Sequence, residues 1–195
     1  MPFSAARENF YLAASRMAPY KKMPLIVSAF ARMPDRKLVV IGDGPELPLA
    51  RRLAAPNVQV LGFLDDGPLR DHMRRAKAFV FAAEEDFGIM PVEAQACGAP
   101  VIAFGRGGAL ETVIGPDREQ PTGLFFTAQT EEAIIDAVAR FEAAADRFKP
   151  ENCRANAKRF SRENFREAIK AIVDEEIARA GLQPAPKTCV VRAVG

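Results

Sequence analysis

The feature that most constrains the fold is a helix signal enclosed by two short apolar runs. The runs Lys77–Ala82 and Val101–Phe104 lack the alternation of a half-exposed strand and are typical of strands covered on both faces. Between them, Gly88 permits a sharp turn, Pro91 suits the first turn of a helix, and Gly98 suits its end. A strand, a helix and a second strand in this order predict a parallel, doubly wound α/β sheet.

The same alternation continues along the chain. Strands are predicted at Phe10–Ala14, Lys37–Ile41, Val58–Leu61, Ala78–Ala82, Val101–Phe104 and Gly123–Phe126. Helices are predicted at Pro24–Arg32, Leu47–Ala55, Pro68–Ala76, Pro91–Cys97 and Leu110–Ile114, and from Glu131 to Ala180 with breaks near Pro150 and Ser161. We therefore expect a Rossmann-like sheet of about six strands with a helical C-terminus. The domain would cover residues 10–180, between a leader at 1–9 and a disordered tail at 181–195.

Composition limits the classes of function. The 195 residues are 49% hydrophobic and carry a net charge of +2, which suits one α/β domain and gives no electrostatic case for nucleic acid. The sequence contains no run of about 18 apolar residues, so it predicts no membrane-spanning helix. The 3 scattered cysteines fit a reduced, cytoplasmic protein, which could lie against the inner face of a membrane. The lone His72 argues against a histidine-based triad, and we expect it to have a surface or structural role.

Two carboxylates flank the Phe-Gly turn at the start of the predicted motif helix. Glu85 would lie in the loop and Glu93 inside the helix. Open α/β sheets bind ligands at the carboxyl ends of their strands, where a helix N-terminus favours an anion. One carboxylate could accept hydrogen bonds from sugar hydroxyls and the other from a ribose. The residues alone leave an alternative, in which Glu85 interacts with the helix dipole and Glu93 is solvated.

Other candidate ligands follow the first two predicted strands. Arg16 and Lys21 could hold a diphosphate, or they could belong to an ordinary surface loop. The turn Gly42–Pro45 is either a plain tight turn or a wall of a nucleotide site. It is not the dinucleotide fingerprint, because Leu47 stands where that motif requires its third glycine.

The string EDFGIMPVEAQACGAPV, which begins at Glu85, resembles the donor signature of retaining two-domain (GT-B) glycosyltransferases of family 4, also called glycosyl transferases group 1. It matches every fixed position of E-x-F-G-x-x-x-x-E-A-x-A-x-G-x-P-V. The segment Ser15–Lys21 is similar to the family's G-R-x-x-x-x-K, with Ser15 in place of the glycine. The resemblance runs from about Phe10 to Glu176, and it concerns the C-terminal, donor-binding domain of that family.

The resemblance implies a role for each matched residue. Arg16, Lys21, Gly88 and Ile89 would contact the donor phosphates. Glu85, Phe87 and Gly88 would contact the sugar, with Glu85 as the catalytic residue, and Glu93 would bind the ribose. Gly42, Gly44, Gly62, Phe63 and Leu64 would line the nucleotide pocket. The glycine-rich turn Gly105–Glu111 is interpreted as structural.

The resemblance also implies the substrates. We expect transfer of a hexose from a nucleotide-sugar, with GDP-mannose favoured and UDP- or ADP-sugars as alternatives, and with no metal because the cations neutralise the diphosphate. The acceptor domain would come from a separate protein or a second copy. The isolated chain is expected to bind donor without transferring it and to self-associate. The alternative is a truncated or split product that binds a nucleotide or a partner without turnover.

Overall fold

A computed structural model describes residues 7–181. The chain divides into a first unit that ends at Lys158 and a second that begins at Arg159. The strands are β1 Phe10–Ala14, β2 Lys37–Ile41, β3 Val58–Gly62, β4 Ala78–Phe81, β5 Val101–Phe104 and β6 Gly123–Phe126. The helices are α1 Met23–Ala31, α2 Leu47–Leu53, α3 Asp66–Arg75, α4 Ile89–Ala96, α5 Ala109–Thr112, α6 Glu131–Ala143, α7 Pro150–Lys158 and, in the second unit, α8 Arg162–Arg179.

The six strands form one parallel sheet in the order β3-β2-β1-β4-β5-β6. The chain begins in the middle with β1, builds outward to β3, crosses to β4 and builds outward again. Helices α1, α2 and α6 pack on one face, and α3, α4 and α5 pack on the other. The order of the strands reverses between β1 and β4, and such a switch point opens a crevice at the carboxyl edge of the sheet.

The burial of the strands confirms the predicted fold class. Every residue of β1, β4 and β5 is buried, as strands with helices on both faces require. The predicted bounds agree with the structure for β1, β2, β5 and β6. The predicted start of the motif helix at Pro91 is wrong, because α4 begins at Ile89. Gly88 has a φ of 79°, so the chain turns into the helix at once and Pro91 becomes its third residue.

The predicted breaks in the C-terminal helical region are confirmed: α7 begins at Pro150, and α8 follows Ser161. The Ser161 hydroxyl caps α8 by accepting a hydrogen bond from the Asn164 backbone N–H at 3.2 Å. No residue of α8 is buried. Its large exposed apolar side chains are Phe165, Ile169, Ile172 and Val173.

The predicted domain limits, residues 10–180, stay a prediction. Residues 1–6 of the predicted leader and 182–195 of the predicted tail lie outside the described residues. Among the helices of residues 7–181, none has the length and apolar character that a bilayer span requires.

Candidate functional site

Three loops lie side by side at the carboxyl edge, after β1, β2 and β3. The Met17 N–H donates to the carbonyl of Asp43 at 2.8 Å, which joins the first loop to the second. The Gly42 N–H donates to the carbonyl of Gly62, the last residue of β3, at 2.8 Å, which joins the second loop to the start of the third. Arg16 is exposed in the first loop, directly before Met17. The backbone contacts therefore fix the loop that presents this cation.

The glycines of the second loop are required by this close approach. Gly42 and Gly44 have φ values of +137° and +146°, which other residues rarely adopt. A Cβ on Gly42 would lie 1.8 Å from the carbonyl oxygen of Ser15, and one on Gly44 would lie 2.9 Å from that of Met17. The turn thus supports the loop that carries Arg16. Whether it also borders a nucleotide stays a prediction.

The third loop presents one large side chain at the edge. Gly62 is buried with a φ of +82°, and Leu64 packs against the core of the α3–α5 face. Phe63, between them, is 71% exposed. A flat apolar surface at this edge is therefore available to a ligand.

The N-terminus of α4 lies at the carboxyl end of β4, the strand beside β1. Gly88 is buried at the N-cap, while Phe87 and Ile89 on either side are 40% and 65% exposed. Glu93 is exposed one turn into the helix. The first N–H groups of a helix have no partner within it, so this end favours a negatively charged ligand.

A glycine turn after β5 holds the loop of Glu85. The Gly108 N–H donates to the Glu85 carbonyl at 2.7 Å. A Cβ on Gly107 would lie 2.3 Å from that carbonyl oxygen, and one on Gly108 would lie 2.4 Å from the Cα of Phe87. The sequence interpretation of this turn as structural missed what it supports. Three glycines within Gly105–Gly108 directly after a strand were the available signal of a close backbone approach.

An ion pair between Lys21 and Glu85 joins the loop after β1 to the loop after β4. Lys21 ends a 3-10 turn at Pro19–Lys21, and its ammonium contacts one carboxylate oxygen of Glu85. The side chains are only 13% and 19% exposed. The ammonium also lies 5.0 Å from the centre of the Tyr20 ring. The sequence predicts that both residues contact a ligand, and it gives no indication that they pair with each other.

A buried polar network fixes α4 from behind. The Gln95 amide donates to the carbonyls of Pro91 and Thr112 at 3.1 and 2.8 Å. The Asn156 amide on α7 donates to the Gln95 side-chain oxygen at 2.7 Å and to the Thr112 carbonyl at 2.8 Å. Gln95 and Asn156 are 0% and 3% exposed. The network joins α4 to α5 and α7, so the helix that carries the motif is rigidly positioned.

Other chemical groups of residues 7–181 do not join the site. Burial raises the pKa of the Cys153 thiol to about 12, and burial, opposed by Arg74, also raises the pKa of the Cys97 thiol. Both are therefore poor nucleophiles. Within these residues no cluster of His, Cys, Asp and Glu side chains could hold a metal ion. Metal independence itself stays a prediction.

His72 lies at the opposite, amino edge of the sheet. Its Nδ1 is 2.9 Å from the carbonyl oxygen of Pro68, and its ring meets the edge of Phe10 with the centroids 6.2 Å apart. It lines a cavity of about 670 Å³ whose lining also includes Lys37, the first residue of β2. The cavity is therefore separated from the loops of Arg16 and Glu85 by the length of the strands.

Comparison with known proteins assigns the family. The sequence profile described as "Glycosyl transferases group 1" matches residues 3–160, which include every residue of the candidate site. The chain belongs to this family. The predicted resemblance is thereby confirmed.

Two similar proteins are described as mannosyltransferases. The GDP-mannose-dependent alpha-(1-6)-phosphatidylinositol monomannoside mannosyltransferase of Mycobacterium tuberculosis is 33% identical, and the match covers 68% of this chain and 38% of the relative. The GDP-mannose-dependent monoacylated alpha-(1-6)-phosphatidylinositol monomannoside mannosyltransferase of Corynebacterium glutamicum is 37% identical, with 51% and 30% covered. This chain thus matches less than half the length of either relative.

Solved structures support the fold. Sucrose-phosphate synthase from Thermosynechococcus elongatus is 26% identical with a TM-score of 0.73, covering 88% of this chain and 46% of that chain. HepE from Anabaena in complex with UDP-glucose is 25% identical with a TM-score of 0.71, covering 86% and 49%. The pneumococcal O-GlcNAc transferase GtfA in complex with UDP and GlcNAc, at 22% identity, has a TM-score of 0.73, covering 88% and 37%. The chain has the fold of one domain of the GT-B glycosyltransferases.

Proposed function

We propose that the crevice at the carboxyl edge binds a nucleotide-sugar, and that this chain is the donor domain of a retaining hexosyltransferase. The observation that carries the proposal is the convergence of Lys21, Glu85 and the N-terminus of α4 at the junction of β1 and β4. A cation, a carboxylate and a helix N-terminus are the groups that a sugar diphosphate requires. Membership of the glycosyl transferases group 1 family supports the same function.

The proposed chemistry relies on fixed charge. Transfer separates a diphosphate leaving group from a sugar that develops positive charge, and preorganised charges and dipoles stabilise such a separation. Arg16 would bind the diphosphate as a two-pronged donor and Lys21 as a point charge. The backbone N–H groups of Gly88 and Ile89, at the start of α4, would meet the phosphates. Glu85 would accept hydrogen bonds from the sugar hydroxyls and stabilise the developing positive charge beside them, and Phe87 and Gly88 would complete the sugar site.

The nucleoside would extend from this point along the edge. Glu93, exposed on α4, would accept hydrogen bonds from the ribose hydroxyls. The loops after β2 and β3 would form the wall of the nucleotide pocket, through Gly42, Gly44, Gly62, Phe63 and Leu64. The exposed ring of Phe63 is suited to the face of a base.

We infer that GDP-mannose is the donor, with UDP- and ADP-sugars as the alternatives, and that no metal takes part. Two mannosyltransferase relatives, each described as GDP-mannose-dependent, support this donor. The two cations of the loop after β1 are sufficient to neutralise a diphosphate, which supports metal independence.

We infer that the acceptor is a hydroxyl of a growing polysaccharide or glycolipid, at the cytoplasmic face of a membrane. The relatives act, by their names, on a mannosylated phosphatidylinositol. Transfer requires the acceptor oxygen at near-attack distance, and the described loops form one wall of the crevice. A second domain, in the same polypeptide, in a separate protein or in another copy, would supply the facing wall. The exposed side chains of Tyr20, Ile89 and Leu110, each in a segment that follows a strand at this edge, support such a contact.

Calorimetric titration with GDP, UDP and ADP, each with and without its sugar, tests the donor assignment. We expect GDP to bind best. Arg16→Ala should weaken the diphosphate by about tenfold and the free nucleoside little, since the lost contact is a charge-assisted hydrogen bond to phosphate. Arg118→Ala is the matched control, because Arg118 is exposed in the loop that leads into β6 at the opposite edge.

Equal losses for diphosphate and nucleoside would remove the phosphate role of Arg16. An absence of binding by all three nucleotides would contradict the proposed function. Donor binding without transfer in the presence of a supplied acceptor domain would favour the alternative, a nucleotide-binding product without turnover.

A further inference from the structure

The donor site contains a contact between two of its own ligand-binding groups. Lys21 and Glu85 are assigned to different parts of the donor, the diphosphate and the sugar. In the structure they neutralise each other, with most of both side chains out of solvent. An ion pair in this environment matters more than one on the surface, because removal of either partner leaves the other charge poorly solvated.

The backbone keeps this pair in place. The Glu85 carbonyl accepts the Gly108 N–H at 2.7 Å, and Gly107 packs so closely that a Cβ would lie 2.3 Å from the same oxygen. On the other side, Lys21 ends a 3-10 turn between β1 and α1. The backbone of Glu85 is thus held by the turn after β5, and rotation of the two side chains is sufficient to open the pair.

The two halves of the donor compete for different members of the ion pair. A diphosphate competes with the Glu85 carboxylate for Lys21, because both are anions. A sugar hydroxyl competes with Lys21 for Glu85, because both donate hydrogen bonds. When the diphosphate becomes the counter-ion of Lys21, the carboxylate is released for the sugar. When no diphosphate is present, the carboxylate stays occupied.

We propose that the Lys21–Glu85 ion pair makes recognition of the sugar depend on the diphosphate, so that the site selects the intact nucleotide-sugar over a free sugar. This inference rests on the proposed function and assigns a specificity-determining role to the pair. The ion pair also affects binding of the nucleotide alone, which a contact between Glu85 and the sugar would not do. Glu85 opposes binding of the bare diphosphate, because the diphosphate must displace it from Lys21.

Glu85→Gln tests this consequence by calorimetric titration of the full chain with GDP. The amide keeps the size of the side chain and removes the charge that competes for Lys21. We expect GDP to bind about three- to tenfold more tightly than to the natural protein, in the range of a single charged contact. If Glu85 contacts only the sugar, GDP affinity does not change.

Glu84→Gln is the matched control, because Glu84 is the preceding residue of the same loop and is exposed. It removes the same charge without touching the pair. We expect its GDP affinity to change by less than about twofold, as for an exposed charge screened by salt. If both variants gain GDP affinity equally, the effect comes from the loss of one negative charge anywhere in the loop, and the proposal is overturned.

A double-mutant cycle makes the test independent of any single variant. Lys21→Gln should weaken GDP more in the Glu85→Gln background than in the natural protein, because Lys21 carries no counter-ion there. Equal losses in the two backgrounds would mean that the pair is not coupled to the ligand, and would overturn the proposal. Thermal unfolding of each variant shows whether it is folded during the titration.

Cooperativity between the two halves of the donor gives a second measurement. Mannose should bind the natural protein about threefold or more tightly with GDP present than without it, and GDP should gain the same factor from mannose. Equal mannose affinity with and without GDP would overturn the role of the pair. Because that result still requires GDP to bind, it is distinguishable from failure of the proposed function, in which the natural protein binds no nucleotide.

Discussion

A carboxylate forms ion pairs at each edge of the sheet, but the number of its partners differs between the two edges. At the amino edge, one oxygen of Glu142 accepts hydrogen bonds from the Tyr11 hydroxyl and the Lys77 ammonium, both at 2.9 Å. The other oxygen accepts two from the Arg36 guanidinium, at 2.8 and 3.0 Å. At the carboxyl edge, Glu85 is held through one of its oxygens by a single ammonium, so far as the described residues extend.

The difference separates a structural ion cluster from one that a ligand can enter. Both oxygens of Glu142, which lies on α6, accept hydrogen bonds from β1 and from the residues preceding β2 and β4, so the cluster ties these elements to α6. Among residues 7–181, the Lys21 ammonium and the Glu85 carboxylate have hydrogen-bonding capacity beyond their own contact, beside the N-terminus of a helix. The same kind of interaction therefore stabilises the fold at one edge and serves recognition at the other.

The largest effect should come from the backbone that builds the carboxyl edge. Gly42→Ala combines a φ of +137° with a Cβ at 1.8 Å from the Ser15 carbonyl oxygen. We expect a loss of about 3 kcal/mol or more in the free energy of unfolding, measured by urea denaturation. Gly67→Ala is the control, because Gly67 lies in α3 with no atom near its added Cβ. That substitution should leave stability unchanged or raise it by up to about 1 kcal/mol.

A smaller effect is expected from Glu142→Gln. The charge-assisted bonds to Lys77 and Arg36 weaken, so unfolding should require about 2 kcal/mol less. GDP affinity should not change, because the cluster lies at the far edge. Glu85→Gln should show the reverse pattern, with a smaller loss of stability and a changed affinity. If both variants lose stability alike and neither changes GDP affinity, the two edges do not differ in the way described.

The pH dependence of Glu142 sharpens the same prediction. Burial would raise the pKa of Glu142, but hydrogen bonds from Lys77, Tyr11 and Arg36 outweigh it and hold that pKa below its ordinary value. A depressed pKa contributes stability that is fully present above the unfolded value of about 4.3 and is lost as pH falls through the folded value. The stability difference between the natural protein and Glu142→Gln should therefore shrink below about pH 4. A constant difference from pH 7 to pH 3 would contradict the assignment.

The smallest effect is expected from Glu93→Gln, since Glu93 is exposed. A lost charged hydrogen bond to the ribose should weaken GDP by about 1 kcal/mol, or about fivefold. The natural protein should prefer GDP to its deoxyribose analogue, and the variant should bind both about equally in a calorimetric titration. If the natural protein also binds both equally, Glu93 does not contact the ribose.

Local patterns in the sequence predict much of the fold. Apolar runs mark Lys37–Ile41 and Val101–Phe104 with their observed bounds, because a strand covered on both faces leaves a continuous signal. Gly98 adopts a positive φ at the end of α4, as its position predicts. The start of α4 is not predicted correctly, because proline suits any position in the first turn and Pro91 is the third residue of the helix.

The contacts of the site could not be predicted in this way. Lys21 and Glu85 are 64 residues apart, and Tyr11 and Glu142 are 131 apart. No local periodicity relates such positions, which meet only because the strand order brings β4 beside β1 and α6 near them. Gln95 lies on the buried side of α4, and its partner Asn156 on α7 is 61 residues away in sequence. Family resemblance predicts which residues contact the ligand, but it does not predict which of these residues contact each other.

NMR titration of the labelled protein with GDP shows directly whether the carboxyl edge is the donor site. The amides of Gly88, Gly107 and Gly108 report on the carboxyl edge, and the ring of His72, the only histidine, reports on the cavity at the amino edge. If GDP binds at the carboxyl edge, the glycine signals shift until the site is saturated while the His72 ring signal stays in place. Shifts of His72 without shifts of the glycines would contradict it.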